Sequence, residues 1–177
     1  MKKTKIYFLL TISLLFSVSD AVGKDATNMS GLTISSPVFE NNGYMPDRYT
    51  CDGKDINPPL LIENVPAKAK SLALIVDDPD APRGVWVHWV LWNITPGTKE
   101  IKENSVPVGA IQGLNDFRKQ NYGGPCPPSG THRYVLKLYA LDTLLSLGPN
   151  TTKADLENSM KGHIIEQNQI IGLYKRR

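Results

Sequence analysis

Val85-Trp86-Val87-His88-Trp89-Val90-Leu91-Trp92-Asn93-Ile94 decides how the rest of the chain is read. On a strand, successive side chains point to opposite faces. Trp86, His88, Val90 and Trp92 then share one face, and Val85, Val87, Trp89 and Leu91 share the other. Both faces are apolar, so the strand is expected to be central and covered on both sides. Upstream, Leu72 to Val76 is a continuous apolar run between Pro66 and Pro79, short enough for a buried strand. Downstream, His132 to Leu141 alternates, with His132, Tyr134, Leu136, Leu138 and Ala140 on one face. Leu32 to Ser35 and Gln169 to Tyr174 read as an opening and a closing strand. Thr152 is placed to cap a helix over residues 153–162, with Asp155 in its first turn and Leu156 and Met160 inside. His163, near the helix end, suits a C-terminal cap. Short strands, long loops and one helix give a mainly β, sandwich-like domain.

The chain has 177 residues and a formal charge of +3. Its beginning reads differently from the rest. Lys2, Lys3 and Lys5 precede a nearly unbroken apolar run from Ile6 to Val18, and small residues follow around Ala21 to Gly23. That is the pattern of a secretory signal peptide over residues 1–23. The run is shorter than the roughly 20 residues that span a bilayer. Residues 24–31 read as a flexible leader and 32–177 as one domain. Export to the periplasm or outside the cell is the expectation. Removing residues 1–23, with three lysines and one aspartate, leaves the remainder near neutral. No basic face or stripe marks a nucleic-acid binder. The two cysteines, Cys51 and Cys126, either form a disulfide in an oxidising compartment or stay as buried thiols. They make no zinc site without a histidine cluster, and no metal or cofactor is expected.

Three regions carry chemistry. Asp77-Asp78-Pro79-Asp80-Ala81-Pro82 is an acidic corner at a strand end, stiffened by prolines. His88 is an ionisable group between tryptophans, and a buried polar group needs a partner. A carboxylate from the acidic corner would raise its pKa and hold it protonated, giving an anion site. His132 and Tyr134 point one way. Arg133 points the other, and is expected to pair with an Asp of the corner such as Asp80. Between these strands, residues 105–130 hold Gly123-Gly124-Pro125-Cys126-Pro127-Pro128. Glycines there could let backbone amides approach an anion, and the prolines could form a stiff apolar wall.

The combination resembles the phosphatidylethanolamine-binding protein family, and most closely its bacterial Raf kinase inhibitor-like branch of YbhB/YbcL type. The matching blocks run in order. They are Tyr49 to Gly53 with Pro58-Pro59-Leu60, Asp77 to Pro82 with Val87 to Val90, Asn115-Asp116-Phe117, Tyr122 to Pro128, His132-Arg133-Tyr134 and Gly162-His163-Ile164. The resemblance implies a β-sandwich of antiparallel sheets with one or two short helices and an anion pocket at one end. It implies ligand-binding roles for Asp78, Pro82, Trp86, His88, Gly124, Pro127, His132 and Tyr134. Animal members continue into a C-terminal helix that helps close the pocket. Here no such helix is expected after Tyr174, which implies a more open pocket or closure by a second subunit.

Three functions are weighed. The first is a binding module for a small phosphate- or carboxylate-bearing ligand, similar to a phospholipid head group. The second is a regulator of a partner hydrolase or kinase through the loops at 46–59 and 105–130. The third is a hydrolase using Asp78 and His88. The motif offers no activated serine or cysteine, so a non-enzymatic role is expected.

Overall fold

A computed structural model describes Met1 and residues 31–177. Apart from Met1, the expected signal peptide lies outside the described residues, as does the leader up to Ser30. Among the described residues, no helix is long and apolar enough to cross a membrane.

Two sheets form the domain. The smaller has the order β1-β3-β6, with β1 Thr33–Ser35, β3 Leu60–Glu63 and β6 Glu100–Ile101. The larger has the order β2-β9-β8-β4-β5-β7. Its strands are β2 Gly43–Tyr44, β4 Ser71–Asp78, β5 Trp86–Ile94, β7 Ile111–Gln112, β8 His132–Leu141 and β9 Ile164–Tyr174. All pairings are antiparallel except β2 with β9, which is parallel. A 3-10 turn spans Asp47–Tyr49. The helix α1 runs over Lys153–Met160 and starts at the expected cap: Thr152 and Asp155 exchange hydrogen bonds in a capping box.

The apolar pattern explains the layering. Ile34, Leu60, Ile62 and Ile101 of the small sheet, with Leu32 just before it, meet Leu72, Leu74, Val76, Trp89, Leu91, Leu136 and Leu138 of the large one. On the far face, Ala73, Ile75, Val87, Val90 and Trp92 are covered by Leu156 and Met160 of α1. The sandwich is therefore a small sheet, a large sheet and a helix. β4 is buried along its whole length because it lies between β5 and β8 with a layer on each side.

The face assignment in β5 needs correction. Val76 pairs with Trp89 and Asp77 with Val87, so the ladder skips His88. A bulge places two residues opposite one and breaks the alternation. Trp89 and Leu91 consequently belong to the inter-sheet core, while Val87, Val90 and Trp92 lie under the helix. The expected common face of Trp86, His88, Val90 and Trp92 is split at His88. A second register shift follows, where Asn93 has φ 55°. Asparagine tolerates this left-handed geometry better than most residues.

Two further expectations shift. The closing strand begins at Ile164 rather than Gln169. Its first half pairs with β8 through its backbone, although its side chains are largely exposed. The His163 ring bonds Asp142 Oδ1 at 2.8 Å, and it is the His163 backbone amide that meets the helix end, donating to the Met160 carbonyl.

Leu156 is fully buried in the core under the helix. Leu156→Ala is expected to cost about 2–5 kcal/mol in chemical denaturation. A loss below about 1 kcal/mol would contradict α1 as the cover of that core.

Candidate functional site

The ends of β4, β5 and β8 meet the loops after β4 and before β8. A cavity of about 410 Å³ opens there, lined by Asp78, Ala81, Pro82, Arg83, Trp86, His88, Phe117, Cys126, Pro128, His132 and Tyr134. Strand alternation separates the adjacent carboxylates of the acidic corner. Asp77 lies on the helix side, fully buried, and accepts from Lys137 Nζ at 2.8 Å and from Lys153 of α1. Asp78 reaches the cavity. Asp80 turns outward and holds Arg133 through the backbone amide, Nε and Nη2. Arg133 holds the Asp80 carboxyl down at about 2. The expected structural role of Arg133 and Asp80 is what the geometry gives.

The two histidines exchange the partner expected from sequence. Asp78 Oδ2 lies 2.7 Å from His132 Nδ1, not beside His88. Asp78 Oδ1 accepts from the Asp80 amide at 2.8 Å. His88 Nδ1 instead lies 2.6 Å from the Gly123 carbonyl. A carbonyl only accepts, so His88 Nδ1 carries the proton and Nε2 is a bare acceptor in the neutral ring. Burial pushes the His88 pKa below its ordinary value, outweighing the Gly123 bond and the charge of Asp78. The expectation of a protonated His88 is therefore corrected. Its ring meets Phe117 and Tyr134 edge-on at 5.4 and 5.2 Å, and these contacts supply no charge. At His132, Asp78 fixes Nδ1 and leaves Nε2 as the ring nitrogen available to the cavity. The Tyr134 hydroxyl is buried beside Asp78, makes no well-formed hydrogen bond and is held protonated by burial. Arg83 stands at the mouth with no ion-pair partner among the described residues.

Of the residues expected to bind ligand, Asp78, Pro82, Trp86, His88, His132 and Tyr134 come together. Gly124 and Pro127 do not line the cavity. The Gly123 amide donates to the His88 carbonyl and the Gly124 amide to Asp55 Oδ1, so neither amide is spare for an anion nest. A Cβ on Gly124 would stand 2.7 Å from the Tyr49 carbonyl oxygen, so glycine there serves the close approach of two loops. Pro127 is buried behind the loop while Pro128, its neighbour, forms the wall. Phe117, Ala81 and Arg83 were not assigned from sequence, and Cys126 only as a possible disulfide partner. Phe117 lay within a matching block, but nothing in its local pattern placed its ring against Trp86 at 5.4 Å. Cys51 and Cys126 form a disulfide, which resolves the open alternative.

The neutral His88 has a consequence for stability. The unfolded ring takes a proton below about pH 6.5, and the buried ring resists it. Its contribution is complete above that pH and is lost as the pH falls through the depressed value. The stability of the wild type, minus that of His88→Gln, is expected to decline from about pH 7 to pH 5 in denaturation measurements. A difference that grows on acidification would mean the ring is held as an imidazolium.

A model of the phosphatidylethanolamine-binding protein family matches residues 35–175. A UPF0098 protein of Methanothermobacter thermautotrophicus is 49% identical over 150 residues, covering 82% of this chain and 99% of that one. A UPF0098 protein of Aquifex aeolicus is 47% identical over 152 residues, covering 82% and 89%. The crystal structure of a phosphatidylethanolamine-binding protein homologue from Chlamydia trachomatis superposes with a TM-score of 0.81 at 38% identity, covering 84% of this chain and 99% of that one. That of Escherichia coli YbcL gives 0.78 at 28% identity, covering 82% and 99%. Sequence, fold and the two-sheet architecture agree, and the chain belongs to the phosphatidylethanolamine-binding protein family.

Proposed function

We propose that this protein is an exported binding protein whose cavity takes a small phosphate- or carboxylate-bearing group. The observation that carries this reading is a pair of imidazoles, each tied to the protein through Nδ1, beside the Tyr134 hydroxyl and Arg83. Asp78 holds His132 Nδ1 and turns Nε2 to the cavity. His88 presents a lone pair. The Tyr134 hydroxyl supplies a donor, and Arg83 supplies charge at the mouth. Donors beside imidazole nitrogens suit an acid that keeps a proton, such as a phosphate monoanion or a phosphomonoester. Trp86, Phe117, Pro82 and Pro128 give an apolar surround for the carbon portion of the ligand. Export is supported by the pattern of residues 1–23 and by a disulfide that suits an oxidising compartment.

A hydrolytic reading has one observation in its favour, since Asp78 orients His132 as an acid orients a general base. Against it, the cavity lining contains no serine or threonine, and the Cys126 sulfur is bonded to Cys51. Binding is therefore the reading adopted. Regulation of a partner through the loops at 46–59 and 105–130 rests on family resemblance alone.

Calorimetry with inorganic phosphate and phosphoethanolamine tests the reading. His132→Ala and Tyr134→Phe are each expected to weaken binding by about tenfold or more, the worth of one hydrogen bond to a charged group. Equal affinity in wild type and both variants would remove the cavity as the site. Ester turnover abolished by His132→Ala would replace binding by hydrolysis.

A further inference from the structure

The disulfide does more than join two loops, because of where it stands. A second, polar cavity of about 110 Å³ lies beside the first, lined by Cys51, Asp55, Asn115, Phe117, Lys119, Asn121 and Gly123 among others. Cys126 and Phe117 belong to the walls of both cavities. The Cys51–Cys126 bridge thus forms part of the partition between them. Cys126 is exposed and Cys51 is half-buried, so an attacking thiolate can reach the bridge from the solvent side.

The loop behind the bridge also sets the chemistry of the pocket. Gly123 carries the carbonyl that fixes the proton of His88. Three hydrogen bonds fasten this loop to residues 49–55. The Tyr122 hydroxyl donates to the Tyr49 carbonyl, the Cys51 amide to the Pro125 carbonyl and the Gly124 amide to Asp55. Only the disulfide fastens it covalently. Neither cysteine belongs to the two clusters of buried core residues.

We propose that the Cys51–Cys126 disulfide is a redox-controlled partition: its reduction joins the two cavities, frees the Gly123–Cys126 loop and weakens ligand binding at the first. The proposal rests on the anion-pocket reading for its ligand, but not for its structural part. The co-reactant is a dithiol, either a small molecule or a protein. Its thiolate attacks Cys126 Sγ, forming a mixed disulfide and expelling the Cys51 thiolate. Its second thiol then attacks the mixed disulfide and releases Cys126. The dithiol is oxidised to a disulfide, and its two protons end on Cys51 and Cys126.

The test compares oxidised protein, protein reduced with dithiothreitol, and Cys51→Ser/Cys126→Ser. Phosphate affinity is read by calorimetry, amide hydrogen exchange over residues 122–128 by mass spectrometry, and folding by circular dichroism. Reduction is expected to weaken phosphate binding at least tenfold and speed exchange in the loop at least tenfold, with the β signal kept. The double variant should match the reduced protein, and reoxidation should restore both readouts. Unchanged affinity and exchange on reduction would overturn the proposal. Global unfolding on reduction would overturn it too, making the bridge a plain structural staple. If the oxidised protein does not bind phosphate, the anion reading fails, and loop exchange alone decides whether the partition opens.

Discussion

A buried imidazole obliges the fold to supply a partner, since an unpaired polar group in a low-dielectric interior costs several times what a solvated one does. In this protein the partner of His88 is the Gly123 carbonyl, 35 residues downstream. Meeting that requirement brings the long loop before β8 against the end of β5. The bond is reinforced from the backbone, because the Gly123 amide returns to the His88 carbonyl. The loop so placed delivers Phe117, Cys126 and Pro128 to the cavity. The same bond settles the ring's tautomer, while burial, acting against it, lowers the ring's pKa. Pocket shape and pocket polarity thus follow from one pairing.

The bulge at His88 belongs to the same solution. A regular strand would have continued the alternation and sent Trp89 toward the helix. With His88 skipped in the ladder, Trp89 turns into the inter-sheet core, where its Nε1 bonds Gln112 Oε1 at 2.8 Å. The two adjacent aspartates at the end of β4 obey ordinary alternation. One fastens the helix to the sheet through lysines, and the other orients His132. Acidic residues that look like one cluster in the sequence are three separate devices in space.

This contrast explains what the sequence disclosed. β4, β5 and β8 were legible because their apolar runs and spacing leave few alternatives, and Thr152 with Asp155 announced the helix. The outward turn of Arg133 followed from simple alternation along β8. The bulge was not legible, since His88 between two tryptophans reads as regular strand. Nor was the partner of each histidine, because choosing between a nearby carboxylate and a distant carbonyl requires the loop path. Gly124 and Pro127 matched the family motif, yet neither lines the cavity, and Gly124 serves the close approach of two loops. The first half of β9 was missed because its backbone pairs with β8 while its side chains face solvent, so no hydrophobic pattern marks it.

The most direct measurement is of the histidine ring nitrogens by long-range proton–nitrogen NMR at neutral pH. The account predicts a proton on Nδ1 and a bare Nε2 at His88, with a proton on Nδ1 of His132. Protons on both nitrogens of His88, or a proton on its Nε2 alone, would contradict it.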